Sequence, residues 1–436
     1  MCILTTPSVR CLYFSMGLLA TAALVLLLSP SVSAAALVPP SPLSLQQAIR
    51  RTLQRNPSLA VFDFRDRALS GRAQTAALRP AINLDAELEN FAGSDGGENA
   101  EFTVALSSVI ELDGKRDARV AAVNSERLLL DMERQIRALD LLGEITRRFV
   151  RVLAGSEREA LASDAVRLAL DTLNAVNARV SAGGAPQAEK WRAQASLARA
   201  RLALNGAQQA LRADRIALAA MWGDLSAEFS VAGSALYDVG VAGDFATFFQ
   251  WLEESPRLAR FASEERVAAA QLRLARTSAS ADIGWSLGVR QSRETDSTSL
   301  VAGVIVPLFS GNRARGEIAS AQAVLGGISP EREAARLNFY TQLNRAFSLR
   351  AQAIDSVRQL RAEIIPAQMR ALEETERYYR AGRYGYQEWV SAREELLDAR
   401  RALIDEATRA LLAAAEIEQL TAASVSAQPV SPATEK

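Results

Sequence analysis

The sequence contains no histidine and only two cysteines among 436 residues. Without imidazole, neither a Ser/His/Asp or Cys/His triad nor a histidine-dependent zinc site can form. An excess of one charge is also missing, because 50 Lys and Arg residues balance 50 Asp and Glu residues. Such a chain has no net field to gather a polyanion, which disfavours nucleic-acid binding. These absences predict a protein that is not an enzyme and that uses no cofactor and no resident metal.

Aromatic residues are scarce at 6%, whereas hydrophobic residues reach 49% and charged residues 23%. This balance is typical of long helices rich in Ala, Leu, Arg and Glu rather than of a mixed globular enzyme. We therefore expect a mainly helical chain that is long enough for a sizeable core.

Both cysteines lie within the first 36 residues, which are typical of a secretory signal peptide. Arg10 supplies the basic region, and the apolar run at 16–28 is shorter than the roughly 20 residues of a spanning helix. Small residues at 31–36 provide a cleavage site, and a retained N-terminal anchor is the alternative interpretation. Cleavage leaves a chain without thiol or lipid-anchor cysteine, and loss of Arg10 leaves 49 basic against 50 acidic residues.

The remaining sequence contains an internal duplication. The segment RNPSLA at 55–60 recurs as ESPRLA at 254–259, 199 residues later, and DGKRDAR at 113–119 recurs as SGNRAR from 310. Ala182 and Gly183 recur as Ala381 and Gly382, again 199 residues later. Because three separated landmarks agree on nearly the same spacing, the chain consists of two related halves.

Each half is predicted to contain a helix, two strands, a very long helix, a tight turn and a second helix. The long helix of the first half runs over 115–180 with apolar residues three and four apart, and its partner covers 187–221. The corresponding helices of the second half are expected at 314–381 and 386–420. The domain boundaries follow: signal peptide 1–36, first repeat 37–222, linker 223–242, second repeat 243–422, and a disordered tail 423–436.

Strict alternation of apolar and polar residues predicts the strands. In the first strand, at 82–88, four apolar side chains alternate with acidic and amide ones, and each of the four strands is close to the 9 to 11 residues that cross a bilayer. A small soluble sheet with one face on the helices is the alternative. If the strands span a membrane, four cannot close a barrel, so the chains must pool their strands in an oligomer.

Several motifs resemble the TolC-like outer-membrane efflux family. They are PLSLQQAI at 42–49 running into RNPSL at 55–59, together with the duplicated plan over the whole mature chain. ELDGKR at 111–116 and YRAGRYGY at 379–386 are similar in particular to the CzcC-like branch, which serves cation efflux. Two features depart from the family: the chain lacks the lipidated cysteine of some relatives, and the first helical turn is less typical than the second.

The resemblance implies both an architecture and a function. It implies a homotrimer whose long helical hairpins form an α-barrel, capped by a shared 12-stranded β-barrel with four strands from each chain. It further implies a passive exit duct for heavy-metal cations, located in the outer membrane and extending into the periplasm. Its partners would be a periplasmic adaptor (membrane fusion) protein and an inner-membrane RND-type pump. A duct for drugs or type I protein secretion, and a soluble periplasmic helical structural or adaptor protein, remain the alternatives.

The same resemblance marks candidate sites at the two hairpin tips. The adaptor-docking residues would be Gly183, Gly184, Ala185 and Pro186 in the first tip, and Gly382, Arg383, Tyr384 and Gly385 in the second. Glu189 and Glu388 follow the tips where relatives carry acidic residues at a narrow entrance. A carboxylate there also suits a helix N-terminus, so both interpretations stay open.

A third candidate site is the polar face of the strands. If the apolar face meets lipid, Asp85, Glu87, Glu89 and Glu101 must point into the lumen. A ring of carboxylates raises the local cation concentration, so the pore is predicted to favour cations. The alternative is that these acids only keep the lumen wet, with Arg290 and Arg293 offsetting part of their field.

Overall fold

The computed structural model describes residues 42–92, 97–226 and 228–424. The predicted signal peptide, residues 93–96 of the first polar turn and residues 425–436 of the predicted tail lie outside this range. Within it, the order of elements repeats once, as the duplication predicts. None of the helices in the described residues is both long and apolar enough to cross a membrane.

The first half opens with two helices, α1 (Leu45–Arg55) and α2 (Pro57–Ala76), where the sequence predicted one. A capping box starts α1, since the Ser44 hydroxyl accepts from the amide of Gln47 and the Gln47 side chain accepts from the amide of Ser44. The chain then breaks at Asn56, because a residue before proline is forced out of the helical region. The second half repeats this arrangement with α5 (Phe245–Glu253) and α6 (Pro256–Thr277).

Four strands form one antiparallel sheet. They are β1 (Asn83–Glu89), β2 (Glu101–Ile110), β3 (Ile283–Ser292) and β4 (Ser297–Ile305), paired in that order. The two hairpins of the duplication thus join through β2 and β3, and β1 and β4 are left as edges. The first strand begins one residue later than the alternation predicted.

The long helices fill most of the chain. In the first half, α3 (Lys115–Ser181) has 67 residues, about 100 Å at 1.5 Å per residue, and α4 (Gln187–Ala219) returns along it. The second half has α7 (Ser310–Gln359), α8 (Ile365–Arg380) and α9 (Tyr386–Thr421).

The expected single helix at 314–381 is interrupted by a π-helical turn at Leu360–Ile364. Pro366 lies just beyond it and lacks an amide hydrogen, and its ring collides with the carbonyl four residues earlier in a regular helix. Widening to a π turn relieves that collision.

A buried arginine holds the linker between the halves against helix α7 through hydrogen bonds. A short 3-10 turn, Ala220–Trp222, precedes the linker, and a second, Gly233–Tyr237, lies within it. The guanidinium of Arg350 on α7 donates to the carbonyls of Val239 (3.2 Å), Val241 and Ala242 (2.7 Å). Because these acceptors are uncharged, burial lowers the pKa of Arg350 below its ordinary value.

Candidate functional site

The sheet carries two faces of opposite character. One face is apolar and exposed: Leu84 is 70% and Leu300 82% accessible, and Val304 is 71% accessible. Monomeric soluble proteins rarely leave so much contiguous apolar surface uncovered. This face therefore requires an apolar environment that the single chain does not supply.

All four predicted lumen acids lie on the opposite face. The pairing places Glu89 opposite Glu101 and Asp85 opposite Ala105. Because cross-strand partners point to the same side of a sheet, Asp85, Glu87, Glu89 and Glu101 share one surface. The structure thus brings together the residues that the alternation predicted on one face.

The four acids differ in their partners. Arg290 on β3 contacts Glu101 at 2.9 Å and Glu89 at 3.5 Å, and its Nε donates to the hydroxyl of Thr103 at 3.0 Å. Asp85 accepts a hydrogen bond from Ser107 at 2.6 Å. Glu87 has no ion-pair partner among the described residues. Arg290 therefore pairs with two of the four carboxylates in these contacts, which leaves an excess of negative charge on this face.

Small residues occupy the centre of the acidic face. Gly288 on β3 lies opposite Ala105, and a Cβ built at Gly288 would fall 2.6 Å from the Ala105 Cβ and from the Val104 carbonyl oxygen. Contact that close is not found for real Cβ atoms, so only glycine fits there.

Each hairpin tip is a glycine-terminated helix end. Gly183 has φ +73° and Gly382 φ +76°, conformations that favour glycine, and each follows the last turn of a long helix. The amides that follow fold back onto the helix, with Gly184 donating to Arg179 (2.8 Å) and Arg383 to Tyr378 (2.9 Å). The turns lie where the sequence predicted them, between α3 and α4 and between α8 and α9.

Three residues, Arg179, Tyr379 and Glu189, join the two tips and are called the tip bridge here. The Tyr379 hydroxyl donates to Glu189 Oε2 at 3.0 Å. Arg179 donates to the Tyr379 carbonyl at 3.0 Å, and its guanidinium carbon lies 4.4 Å from the centre of the Tyr379 ring. Burial, followed by the bond to Glu189, raises the pKa of Tyr379 to about 12, so the hydroxyl stays a donor at neutral pH. The first and second halves are thereby linked at the tips.

The two predicted entrance acids therefore differ in structure. Glu189 is half-buried and bound by Tyr379, whereas Glu388 is exposed. The Glu388 carboxylate folds back over Gly385, where a Cβ would lie 2.7 Å from Oε2. Both acids stand in the first turn of their helices, a position that also suits the N-terminal dipole.

The second tip carries an aromatic and cationic cluster that the first tip lacks. The rings of Tyr378 and Tyr384 lie 5.3 Å apart, with the Arg383 and Arg377 guanidinium groups 5.9 and 5.3 Å from the Tyr378 ring. The equivalent stretch of the first tip is Gly183 to Pro186, which offers mainly backbone. The two tips consequently present different chemistry to a partner.

Sequence reasoning missed the buried residues behind the tips. Arg393 on α9 is buried and donates to the hydroxyls of Thr172 (3.2 Å) and Ser196 (2.9 Å), and burial lowers its pKa. The rings of Tyr379 and Trp389 contact each other behind the second tip, with their centres 4.9 Å apart and their planes tilted by 32°. One signal was present: four of the seven tyrosines of the chain fall within 378–386.

The acidic residues of the described sheet form an extended surface and not a metal-binding cluster. Within the described residues, no group of three or more His, Cys, Asp or Glu side chains could hold a metal ion. The acids on the sheet are spread along a surface instead of converging on a point. Such an arrangement attracts cations without retaining them.

Comparison with known proteins agrees with this architecture. A family model described as outer membrane efflux protein matches residues 48–224 and 249–423. The cobalt-zinc-cadmium resistance protein CzcC of Cupriavidus metallidurans is 26% identical over 82% of this chain and 85% of its own length. The nickel-cobalt-cadmium resistance protein NccC of Alcaligenes xylosoxydans xylosoxydans is 27% identical over 74% of each chain. Among solved structures, the transmembrane channel protein CusC superposes with a TM-score of 0.72 at 16% identity, over 86% of this chain and 91% of that one.

Proposed function

The chain belongs to the outer membrane efflux protein family, and on that premise we propose that it is the exit duct of a tripartite system for divalent heavy-metal cations. Three copies form the duct, which docks a periplasmic adaptor through its hairpin tips. An inner-membrane RND-type pump delivers the cations. The relatives CzcC and NccC, which are named for resistance to cobalt, zinc, cadmium and nickel, support this choice of cargo.

The observation that carries the proposal is the two-faced sheet. Its exposed apolar face suits lipid, which turns the face with Asp85, Glu87, Glu89 and Glu101 toward the interior of a barrel. Carboxylates held at the wall of a narrow pore attract divalent cations over a Debye length of about 8 Å. Because the carboxylates are spread along the wall and do not converge on one point, an ion is held weakly enough to leave again, as conduction requires.

Oligomerisation follows from the sheet edges. Strands β1 and β4 each have one side without a strand partner in the described chain. In lipid, unpaired backbone groups cost several kcal/mol each, so the edges must pair with further copies. Four strands from each of three copies give a barrel in the size range of outer-membrane proteins.

The proposed cargo, heavy-metal cations, is tested by whether bacteria lose metal tolerance without the chain and regain it with the chain. A strain lacking the chain should lose tolerance to cobalt, zinc, cadmium or nickel, and expression of the chain should restore it, measured as the minimal inhibitory concentration of each salt. The same strains are scored against a panel of drugs. Restored drug tolerance without restored metal tolerance would contradict the proposed cargo.

The assembly is tested on the purified protein. Light scattering in detergent should return three chain masses, of 47.0 kDa each before removal of the signal peptide. Fractionation should place the protein in the outer membrane. A monomer of one chain mass, or a soluble periplasmic species, would contradict the duct.

A further inference from the structure

The apolar face of the sheet is shorter than the membrane that it is proposed to cross. Along β2 this face runs from Phe102 to Ile110, which is about 27 Å at about 3.4 Å per residue. A strand tilted by about 40° then covers about 21 Å of bilayer height, whereas the apolar band of an outer-membrane barrel is about 25 Å tall. A band of full height therefore needs apolar side chains beyond the strand ends.

Exposed apolar residues continue the face at the end where the strands lead into the long helices. Strand β4 ends at Ile305, yet its alternation goes on with Val306 at 49% and Leu308 at 70% accessibility. Leu112 follows β2 in the same way at 40% accessibility. An extended chain from Phe102 to Leu112, tilted by about 40°, covers about 26 Å, which is the height of the band.

The next residue, Phe309, is held in an unfavourable backbone conformation. Its ring is 77% accessible, and its φ of +63° lies in the left-handed region that bulky side chains rarely adopt. Phe309 is the N-cap of α7, and the N-cap of α3 is Gly114 with φ +69°. The second half thus keeps a large exposed ring where glycine satisfies the backbone in the first half. Such an outlier indicates a role for the ring itself.

Unpaired arginines lie close to these apolar side chains in the sequence. Arg79 follows Leu78, which is 65% accessible, and Arg313 lies in the first turn of α7. Neither arginine has an ion-pair partner among the described residues, whereas Lys115 at the start of α3 is paired with Asp282 at 2.7 Å. Free guanidinium groups of this kind bind phosphate through two parallel hydrogen bonds.

We propose that the apolar side chains at the strand-to-helix turns lie in the periplasmic leaflet of the outer membrane, with Arg79 and Arg313 bound to phospholipid phosphates. These side chains, called the apolar belt here, are Leu78, Leu112, Leu308 and Phe309. The inference rests on the proposed duct and adds where its membrane band ends and which lipid groups it contacts. Apolar insertion combined with cationic contacts to anionic headgroups is the chemistry of a membrane interface.

Spin labelling tests the depth of the apolar belt. The two natural cysteines are replaced by alanine, the protein is reconstituted into phosphatidylglycerol vesicles, and single labelled cysteines are placed at Leu308, Phe309, Leu300 and Val324. Labels at Leu308 and Phe309 should collide more with oxygen, which concentrates in lipid, than with a water-soluble nickel chelate. Leu300 on the apolar face is the positive control. Val324, which is 61% accessible but about 21 Å along α7, is the matched control and should show no oxygen preference.

The outcomes separate this inference from the proposed duct. Preference for the chelate at Leu308 or Phe309 overturns the belt. So does low collision with both reagents, which would mean that a neighbouring copy covers the site, or an oxygen preference at Val324 equal to theirs. In each case an oxygen preference at Leu300 leaves the duct standing, and its loss at Leu300 overturns the duct as well.

Replacement of the arginines tests the phosphate contacts. In phosphatidylglycerol vesicles, Arg79→Gln combined with Arg313→Gln should lower the temperature at which the folded, heat-modifiable form is lost. In vesicles of digalactosyldiacylglycerol, which has no phosphate, the double variant and wild type should unfold together. Arg332→Gln, an exposed change farther along α7, is the control and should match wild type in both lipids. An equal shift in both lipids, or no shift in phosphatidylglycerol, would show that these arginines do not bind phosphate.

Discussion

At the scale of single residues, the bond between Tyr379 and Glu189 decides how the tips are joined. Tyr379 is fully buried, its hydroxyl reaches the carboxylate of the other half, and Arg179 lies over its ring. The hydrogen bond from the Tyr379 hydroxyl to the carboxylate exists only while the phenol keeps its proton. The stability of the tip bridge should therefore depend on the presence of the hydroxyl and on its protonation state.

Tyr379→Phe removes this donor, and the tips should open more readily by about 1 kcal/mol. The raised pKa of Tyr379, from 10.0 to about 12, means that the folded tip holds the proton more tightly than the unfolded chain does. The stabilisation is complete below about pH 10 and is lost as the pH rises through about 12, so wild type and variant should converge there. The rate of proteolytic cleavage at the tips at pH 8 and pH 11 measures this difference.

Tyr384→Phe is the control for that change, because Tyr384 is exposed on the same tip. Its cleavage rate should match wild type at both pH values. A Tyr379→Phe rate equal to wild type at pH 8 would show that the hydrogen bond does not hold the tips.

A second residue-scale prediction concerns the strand β3. Gly288→Ala should reduce the yield of folded protein in the outer membrane, because the new Cβ would meet backbone and side-chain atoms of β2 at 2.6 Å. Gly284→Ala on the same strand should be tolerated, since its nearest contact is 3.4 Å. Heat-modified mobility on gels reports folded protein, and equal yields for the two variants would contradict the close approach.

At the scale of elements, the long helices separate the sheet at one end from the hairpin tips at the other. The strands stand at the start of α3 and α7, and the tips follow about 100 Å of helix in the first half. Aromatic and cationic side chains concentrate on the second tip, and aromatic and arginine residues are typical of interface anchors. Under the proposed function, we therefore expect the adaptor to dock on the tips, with the second tip as the stronger anchor.

Single-cysteine probes test the docking end. Probes at Ala185 and Tyr384 should capture the adaptor in intact cells, and a probe at Asp296 in the turn between β3 and β4 should not. Both natural cysteines lie in the predicted signal peptide, and replacing them with alanine removes any background from them. Capture at Asp296 with none at the tips would reverse the orientation.

At the scale of the whole molecule, pooling of the sheets multiplies the acidic face. Each copy contributes Asp85, Glu87, Glu89 and Glu101, of which Glu89 and Glu101 share Arg290. Three copies would surround the lumen with an excess of carboxylates. The field of such a ring decays within a Debye length, so selectivity should weaken at high salt.

The ion selectivity of single pores reports the electrostatic field of these carboxylates. In a salt gradient, the native protein should show a cation-favouring reversal potential, and the combined change Asp85→Asn, Glu87→Gln and Glu89→Gln should reduce it. Arg290→Gln is the opposite control and should strengthen cation preference. An unchanged or anion-favouring potential in native and acid-neutralised pores would mean that the acids only keep the lumen wet.

The sequence by itself determined the features that repeat along the chain. The duplication, the period-two strands with their acidic face, the long helices and the glycine turns at 183 and 382 all depend on neighbours close in sequence. Local rules of capping, alternation and helical spacing are sufficient for them. The family was inferred from the resemblance of the motifs at 42–59, 111–116 and 379–386, and the barrel architecture from what that resemblance implies.

Only the tertiary structure decided which distant side chains meet. Tyr379 and Glu189 are 190 residues apart, Arg290 and Glu101 are 189 apart, and Arg393 is buried among hydroxyls of the other half. The duplication does not predict these contacts, because Val180 stands at the equivalent of Tyr379 and Gln194 at the equivalent of Arg393. Side chains that break the repeat acquire their roles only when packing sets their distance, burial and dielectric surroundings.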